Sequence, residues 1–326
     1  VANVLASDLS RASVMIDLGR YGEAASLLSS ALAASPGSSR GWCLLSRAHL
    51  GSGNAPAAAA AAARASALDP ADDWPYRLVS TSLLSMGQPA EAVSAAQEAR
   101  KRAPHLWRSH VCLAQAAMAD GEHELAAQAA AAALALAPDV ADVHVTAGKA
   151  ALARGQLDEA RRWQESALAI EPTHSGAINE LGRISLGSRD AATAAAHFLH
   201  AARTSPGAGV FGRNTELAIS RLAIRLTARA ILIALSAACL IAAAAAANLP
   251  LAIAFGLLLI PLAARTARDI HRLPPRGRRH LIRLFRARSA QAGHRIQTAA
   301  TRGIAALIPG RTTASKPQAG NEAPGS

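Results

Sequence analysis

GQPAEAVSAAQEARKRAP at residues 87–104, GEHELAAQAAAAALALAP at 121–138 and GQLDEARRWQESALAIEP at 155–172 are three versions of one pattern, set 34 residues apart. Each opens on glycine, carries alanine at its sixth and thirteenth positions and closes on proline. Followed outward, the proline recurs at Pro36, Pro70, Pro104, Pro138, Pro172 and Pro206. The alanines recur with it, at Ala24, Ala58, Ala92, Ala126, Ala160 and Ala194 and at Ala31, Ala65, Ala99, Ala133, Ala167 and Ala201. Glycine holds its place at Gly19, Gly53, Gly87, Gly121 and Gly155, with Arg189 in the sixth unit. A fixed period of this length marks a solenoid of stacked units. Glycine turns the chain between two helices, alanine lets helices approach closely, and proline stops the second helix.

The pattern resembles the tetratricopeptide repeat (TPR) family over residues 5–206. The family's leucine position holds Leu45, Val79, Leu113, Ala147 and Leu181, and its small position Ser46, Ser80, Ala114, Gly148 and Gly182. Its tryptophan position holds Trp42, Tyr76, His110, His144 and Ile178, while its tyrosine position holds nothing aromatic. The resemblance implies an all-α, six-repeat solenoid that recognises proteins and performs no catalysis. Aromatic residues make up 3% of the chain, so packing is expected to rest on alanine contacts that each bury little apolar area, giving an array of modest stability. In the first unit Asp8 and Arg11 stand where the family has tryptophan and leucine. A wetted outer face of that kind suits a terminal repeat, and the array is expected to be complete at its start.

Between Arg229 and Arg265 lie 35 residues without a charge. One straight helix of that length would run ~52 Å, against a hydrocarbon core of ~30 Å. Asn248-Leu249-Pro250 supplies the expected break, giving spans at 230–247 and 249–264. Arg213, Arg221, Arg225 and Arg229 precede the stretch and further arginines follow it. Positive charge is retained on the cytoplasmic side, so a transmembrane hairpin with both ends inside is expected; a buried soluble helical pair is the other reading. Residues 207–229 read as a linker and stalk helix, with a loop at 207–212 and Asn214 as its cap.

Residues 1–210 carry a net charge of −2 and residues 211–326 a net of +14, which together give the chain's +12. Residues 265–309 read as a basic amphipathic juxtamembrane segment, with Arg265, Arg268, Arg272, Arg276, Arg278, Arg279, Arg283 and Arg286 meeting anionic lipid headgroups. The polar, loose composition of 310–326 reads as a disordered tail. Only three of the 34 basic residues are lysine, and this excess of arginine and alanine points to a high-GC bacterium. The expected location is therefore the bacterial cytoplasmic membrane, with the repeats inside. Charge alone also permits nucleic-acid binding, but no recognised motif accompanies it.

Cys43, Cys112 and Cys239 have no paired spacing, which excludes a disulfide framework. His197 and His200, three apart, lack a nearby carboxylate and make a poor metal site. No nucleophile elbow, phosphate loop or zinc-protease motif is present, so no cofactor is expected.

The resemblance places first helices along a concave groove, and two rows recur there: Ser13, Arg47, Thr81, Gln115, Lys149 and Arg183, and Ala6, Arg40, Trp74, Arg108, Asp142 and Gly176. Arg77 and Asn179 lie between them. A groove carrying Arg40, Arg47, Arg77, Arg108, Lys149 and Arg183 suits an acidic segment or a C-terminal carboxylate. The lysine-asparagine pairing of the family's carboxylate-binding subclass is not reproduced. The expected role is a membrane-anchored scaffold for a protein partner, with a noncatalytic subunit of a membrane enzyme or transporter as the alternative.

Overall fold

The computed structural model describes residues 2–205, 209–246, 249–275 and 277–283, and these are helical with short connections. The first twelve helices form six antiparallel pairs: α1 (Ala2–Asp17) with α2 (Tyr21–Ala34), α3 (Ser39–Gly51) with α4 (Ala55–Leu68), and α5 (Trp74–Ser85) with α6 (Pro89–Arg102). Then follow α7 (Trp107–Asp120) with α8 (His123–Leu136), α9 (Ala141–Ala153) with α10 (Leu157–Ile170), and α11 (Ser175–Gly187) with α12 (Ala191–Thr204). The fold is an all-helical tetratricopeptide-type solenoid. By contacts the chain divides into two compact units, 1–218 and 219–326.

The turn glycines explain themselves. Gly19, Gly53, Gly87, Gly121 and Gly155 have φ between +75° and +83°, in the left-handed region that a side chain disfavours. A Cβ at these positions would meet nothing within 4 Å, so backbone conformation and not space demands glycine. Arg189 takes the same turn at φ +59° and carries the strain.

The recurring alanines are buried, and most are fully inaccessible. Glycine in the small position is a matter of volume. In units five and six the second helix brings in Gln164 and Phe198, both fully buried. A Cβ on Gly182 would stand 2.5 Å from the Phe198 ring, and one on Gly148 would overlap the Gln164 amide. Units two to four place Ala62, Ala96 and Ala130 at the corresponding second-helix position, and there the small position is Ser46, Ser80 or Ala114. Volume is thus conserved across the pair, as a close-packed interior requires.

The varied tryptophan position keeps one chemical property. Trp42 Nε1 donates to the Pro36 carbonyl at 2.8 Å, and the His110 and His144 Nε2 atoms reach the Pro104 and Pro138 carbonyls at 2.8 and 2.7 Å. A ring N–H in the same place preserves the bond when tryptophan becomes histidine. In unit three Arg102 takes over: its Nε donates to the Pro70 carbonyl at 2.7 Å while its guanidinium stacks on Tyr76 at 3.7 Å.

Beyond the sixth pair the expected loop and cap give way to α13 (Gly209–Ala245), an unbroken 37-residue helix. Gly209 stands 34 residues after Ser175, the first residue of α11. The period therefore continues, and the start of α13 is a seventh first helix. Phe211 packs with Ile178 and Ala201, and Asn214 lies inside the helix, where its amide donates to Asn179 Oδ1 at 2.8 Å. Helix α13 ends at Ala245, close to where proline and asparagine predict the break. The last helix, α14 (Leu249–Arg272), takes Pro250 in its first turn and continues past Ala264. Its arginines thus extend the helix and do not begin a separate segment; most of 265–309 and all of 310–326 lie outside the described residues.

Candidate functional site

The first helices carry the candidate groove residues, and acids neutralise much of the charge. Arg47 pairs with Asp17 at 3.1 Å. Arg77 Nε donates to Asp73 Oδ2 at 2.6 Å, and Ser109 Oγ donates to the same oxygen at 2.9 Å, so Asp73 ties α5 to α7. Glu180, buried on α11, receives Arg183 at 2.8 Å and stands 4.0 Å from Lys149 on α9. Two cations there share one carboxylate. Arg40 is exposed with no ion-pair partner among the described residues, and exposed Arg108 stacks on Trp107 at 4.3 Å. Gln115 is exposed; Asn179 is buried and committed to Asn214.

Reading the two rows missed these acids because Asp17, Asp73 and Glu180 stand at other offsets. For two of them the signal was present, since Asp73 lies four residues before Arg77 and Glu180 three before Arg183. A third row also went unread: Leu50, Leu84, Met118, Leu152 and Leu186 recur every 34 residues, three positions beyond the polar row, and each is half-buried. The surface is therefore mixed, with an apolar line beside a polar one and its free positive charge reduced to Arg40, Arg108 and the Lys149–Arg183 pair.

Asp142 accepts from His174 Nε2 at 3.0 Å, and His174 Nδ1 caps α11 by accepting the Ala177 N–H at 3.2 Å. The hydrogen bond with His174 lowers the Asp142 carboxyl and in return raises the imidazole. Burial pushes the Cys43 thiol up to about 12 and raises Cys112, so both behave as apolar core. Burial, then Arg161 and His200, lower His197.

The second unit inverts the usual placement of side chains. From Arg229 onward on α13 the buried or half-buried positions are Arg229, Ile233, Ser236, Ala237, Leu240 and Ala243; on α14 they are Phe255, Gly256, Leu259, Leu262, Thr266 and Asp269. Spacings of three and four make each set one helical stripe. Arg229 Nη1 donates to Asp269 Oδ2 at 2.5 Å. Counted outward from this bond along two antiparallel helices, Ile233 falls level with Thr266, Ser236 with Leu262, Leu240 with Leu259 and Ala243 with Phe255. Other large apolar residues point outward. Ile231, Leu232, Leu235 and Ile241 on α13, with Leu251, Ile253, Leu257, Leu258 and Ile260 on α14, are 46–70% exposed. Both helices are long and apolar enough to cross a membrane.

Arg265, Arg268, Arg272, Arg279 and Arg283 are exposed. Arg278 is instead used within the fold, its Nε donating to the Leu273 carbonyl and its Nη2 to the His271 carbonyl, both at 2.9 Å. Arg276 and Arg286 lie outside the described residues.

Family models described as tetratricopeptide repeat match residues 15–78, and residues 80–141 and 112–175. The chain carries a tetratricopeptide repeat array. A thermophilic TPR protein of Thermus thermophilus is 22% identical, with a TM-score of 0.52, over 56% of this chain and 99% of that one. A TPR protein of Parabacteroides merdae is 13% identical, with a TM-score of 0.58, over 66% and 84%. Yeast Tom70 is 16% identical, with a TM-score of 0.50, and is matched over 46% of its length by 67% of this chain. At these identities the likeness is one of fold. No curated protein matches the chain. TPR arrays typically mediate protein–protein contact.

Proposed function

We propose that this chain is a scaffold of the bacterial cytoplasmic membrane, whose TPR array binds a protein partner and whose α13–α14 hairpin holds it in the bilayer. The observation that carries the anchor is the inverted hairpin. Water would drive Ile231, Leu235, Leu257 and Ile260 into the seam and leave Arg229, Ser236, Thr266 and Asp269 outside; the opposite placement suits a surrounding hydrocarbon. Arginines before and after the spans keep both helix ends, and with them the repeats, on the cytoplasmic side. Arg265, Arg268, Arg272, Arg279 and Arg283 then face the anionic headgroups.

On the array, the ligand is a protein segment with apolar residues for the Leu50–Leu186 line and acids for Arg40, Arg108 and the Lys149–Arg183 pair, which holds one charge beyond what Glu180 neutralises. The test is affinity purification of the full chain in mild detergent, wild type against Arg40→Ala, Arg108→Ala and Arg183→Ala combined. Loss of a partner captured by the wild type is expected; an unchanged set of partners refutes the groove.

A further inference from the structure

We propose that the Arg229–Asp269 ion pair sets the register in which α13 and α14 insert as one hairpin. The proposal rests on the membrane reading above and adds what determines how the anchor closes. Asp269 is the sole acid between Glu216 and Glu322, in a region that carries 16 basic residues. It stands against Arg229, the last charge before the uncharged stretch. The two side chains retain only 24% and 21% of their exposure, so the bond is shielded more than a surface pair.

The rest of the seam cannot choose a register. Ser236, Leu240 and Ala243 on one stripe and Phe255, Leu259 and Leu262 on the other are small or apolar groups that repack at little cost when one helix slides on the other. A slip of one turn moves the helices by ~5.4 Å and separates Arg229 from Asp269, and in one of the two directions it also carries Asp269 level with uncharged Ile233. A buried polar pair is strongly disfavoured when broken even where it adds little when made, which lets a single pair specify alignment. Arg265 and Arg272, four before and three after Asp269, lie on its own helix and so cannot tie it to α13.

Inter-helix disulfide trapping in membranes tests this on the full chain. The parent carries Ser236→Cys and Leu262→Cys, a pair level with each other when counted from the Arg229–Asp269 bond, with Cys239→Ser to remove the nearby thiol; Cys43 and Cys112 are buried. The parent is expected to cross-link under mild oxidation. Arg229→Asp should lower the cross-linked fraction by about five-fold, toward the low end of coupling for a close pair. Adding Asp269→Arg, which restores the pair with reversed sign, should recover it to within about two-fold. Undiminished cross-linking in Arg229→Asp, or no recovery in the swap, overturns the register role while the anchor stands. A parent released into the supernatant by alkaline washing removes the anchor reading and this proposal together.

Discussion

The repeat array and the hairpin are both helical and both rich in alanine, yet they turn opposite faces to their surroundings. In the array, Leu28, Leu113, Ile178, Ile184 and Phe198 are buried and most of the arginines lie outside. In the hairpin, most leucines and isoleucines stand outside, and an arginine, an aspartate, a serine and a threonine share the inner stripes with Ile233, Leu240, Leu259 and Leu262. Both regions minimise free energy in their own solvent, so the sign of the pattern reports the solvent. Apolar content alone would not have separated them.

The largest effect should come from charging the hairpin's outer face. Leu235→Lys with Leu257→Lys places two ammonium groups in hydrocarbon at about 2.5–3.5 kcal/mol each, and the variant should leave alkaline-washed membranes. Leu136→Lys, on an array leucine of comparable exposure, should change stability by no more than about 0.5 kcal/mol. Equal behaviour of the two would erase the contrast.

Next is the volume match inside the array. Phe198→Ala should cost about 3–5 kcal/mol in urea unfolding of the array, and Gly182→Ala about 1–3 kcal/mol through overlap with the Phe198 ring. The double variant should cost less than the sum, since the new methyl group enters the vacated space. Strict additivity would show that the two sites do not share volume.

A smaller gain is expected at the sixth turn. Arg189→Gly should stabilise the array by about 1 kcal/mol by relieving the positive φ, while Gly155→Ala, in the same conformation, should destabilise it by a similar amount. Thermal unfolding distinguishes the two signs.

The smallest effect is a pH window at the joint between α9 and α11. His174 is raised, so its contribution through the bond to Asp142 is complete below the ordinary imidazole value of 6.5 and is lost as pH climbs through the raised one, whereas its Nδ1 cap on the Ala177 N–H belongs to the neutral ring. Asp142 is lowered, so its contribution is complete above the ordinary 3.8 and is lost as pH falls through the depressed one. The Asp142–His174 bond should therefore be strongest between those two values, and Asp142→Asn should move the His174 titration, followed by NMR of its ring, back toward the ordinary imidazole value.

What could be read from the chain follows how locally each feature is encoded. Gly19 to Gly155 and Pro36 to Pro172 each act on their own turn, so the pairs, their order and their count are legible without coordinates. Asn214 was misread because a cap and a mid-helix amide share one residue type, and only the continuing period, Gly209 after Ser175, separates them. The acids facing Arg47 and Lys149 come from neighbouring units, at separations of about one repeat that no short motif expresses. Arg229 and Asp269 lie 40 residues apart and meet only once the hairpin closes. The lone acid among arginines was nonetheless a visible oddity in the sequence.

Fractionation of cells expressing the full chain tests the central claim most directly. A tethered array remains in the membrane pellet through an alkaline wash and is released only by detergent. Recovery in the detergent-free supernatant after ultracentrifugation would contradict the anchor and leave the repeat array without its tether.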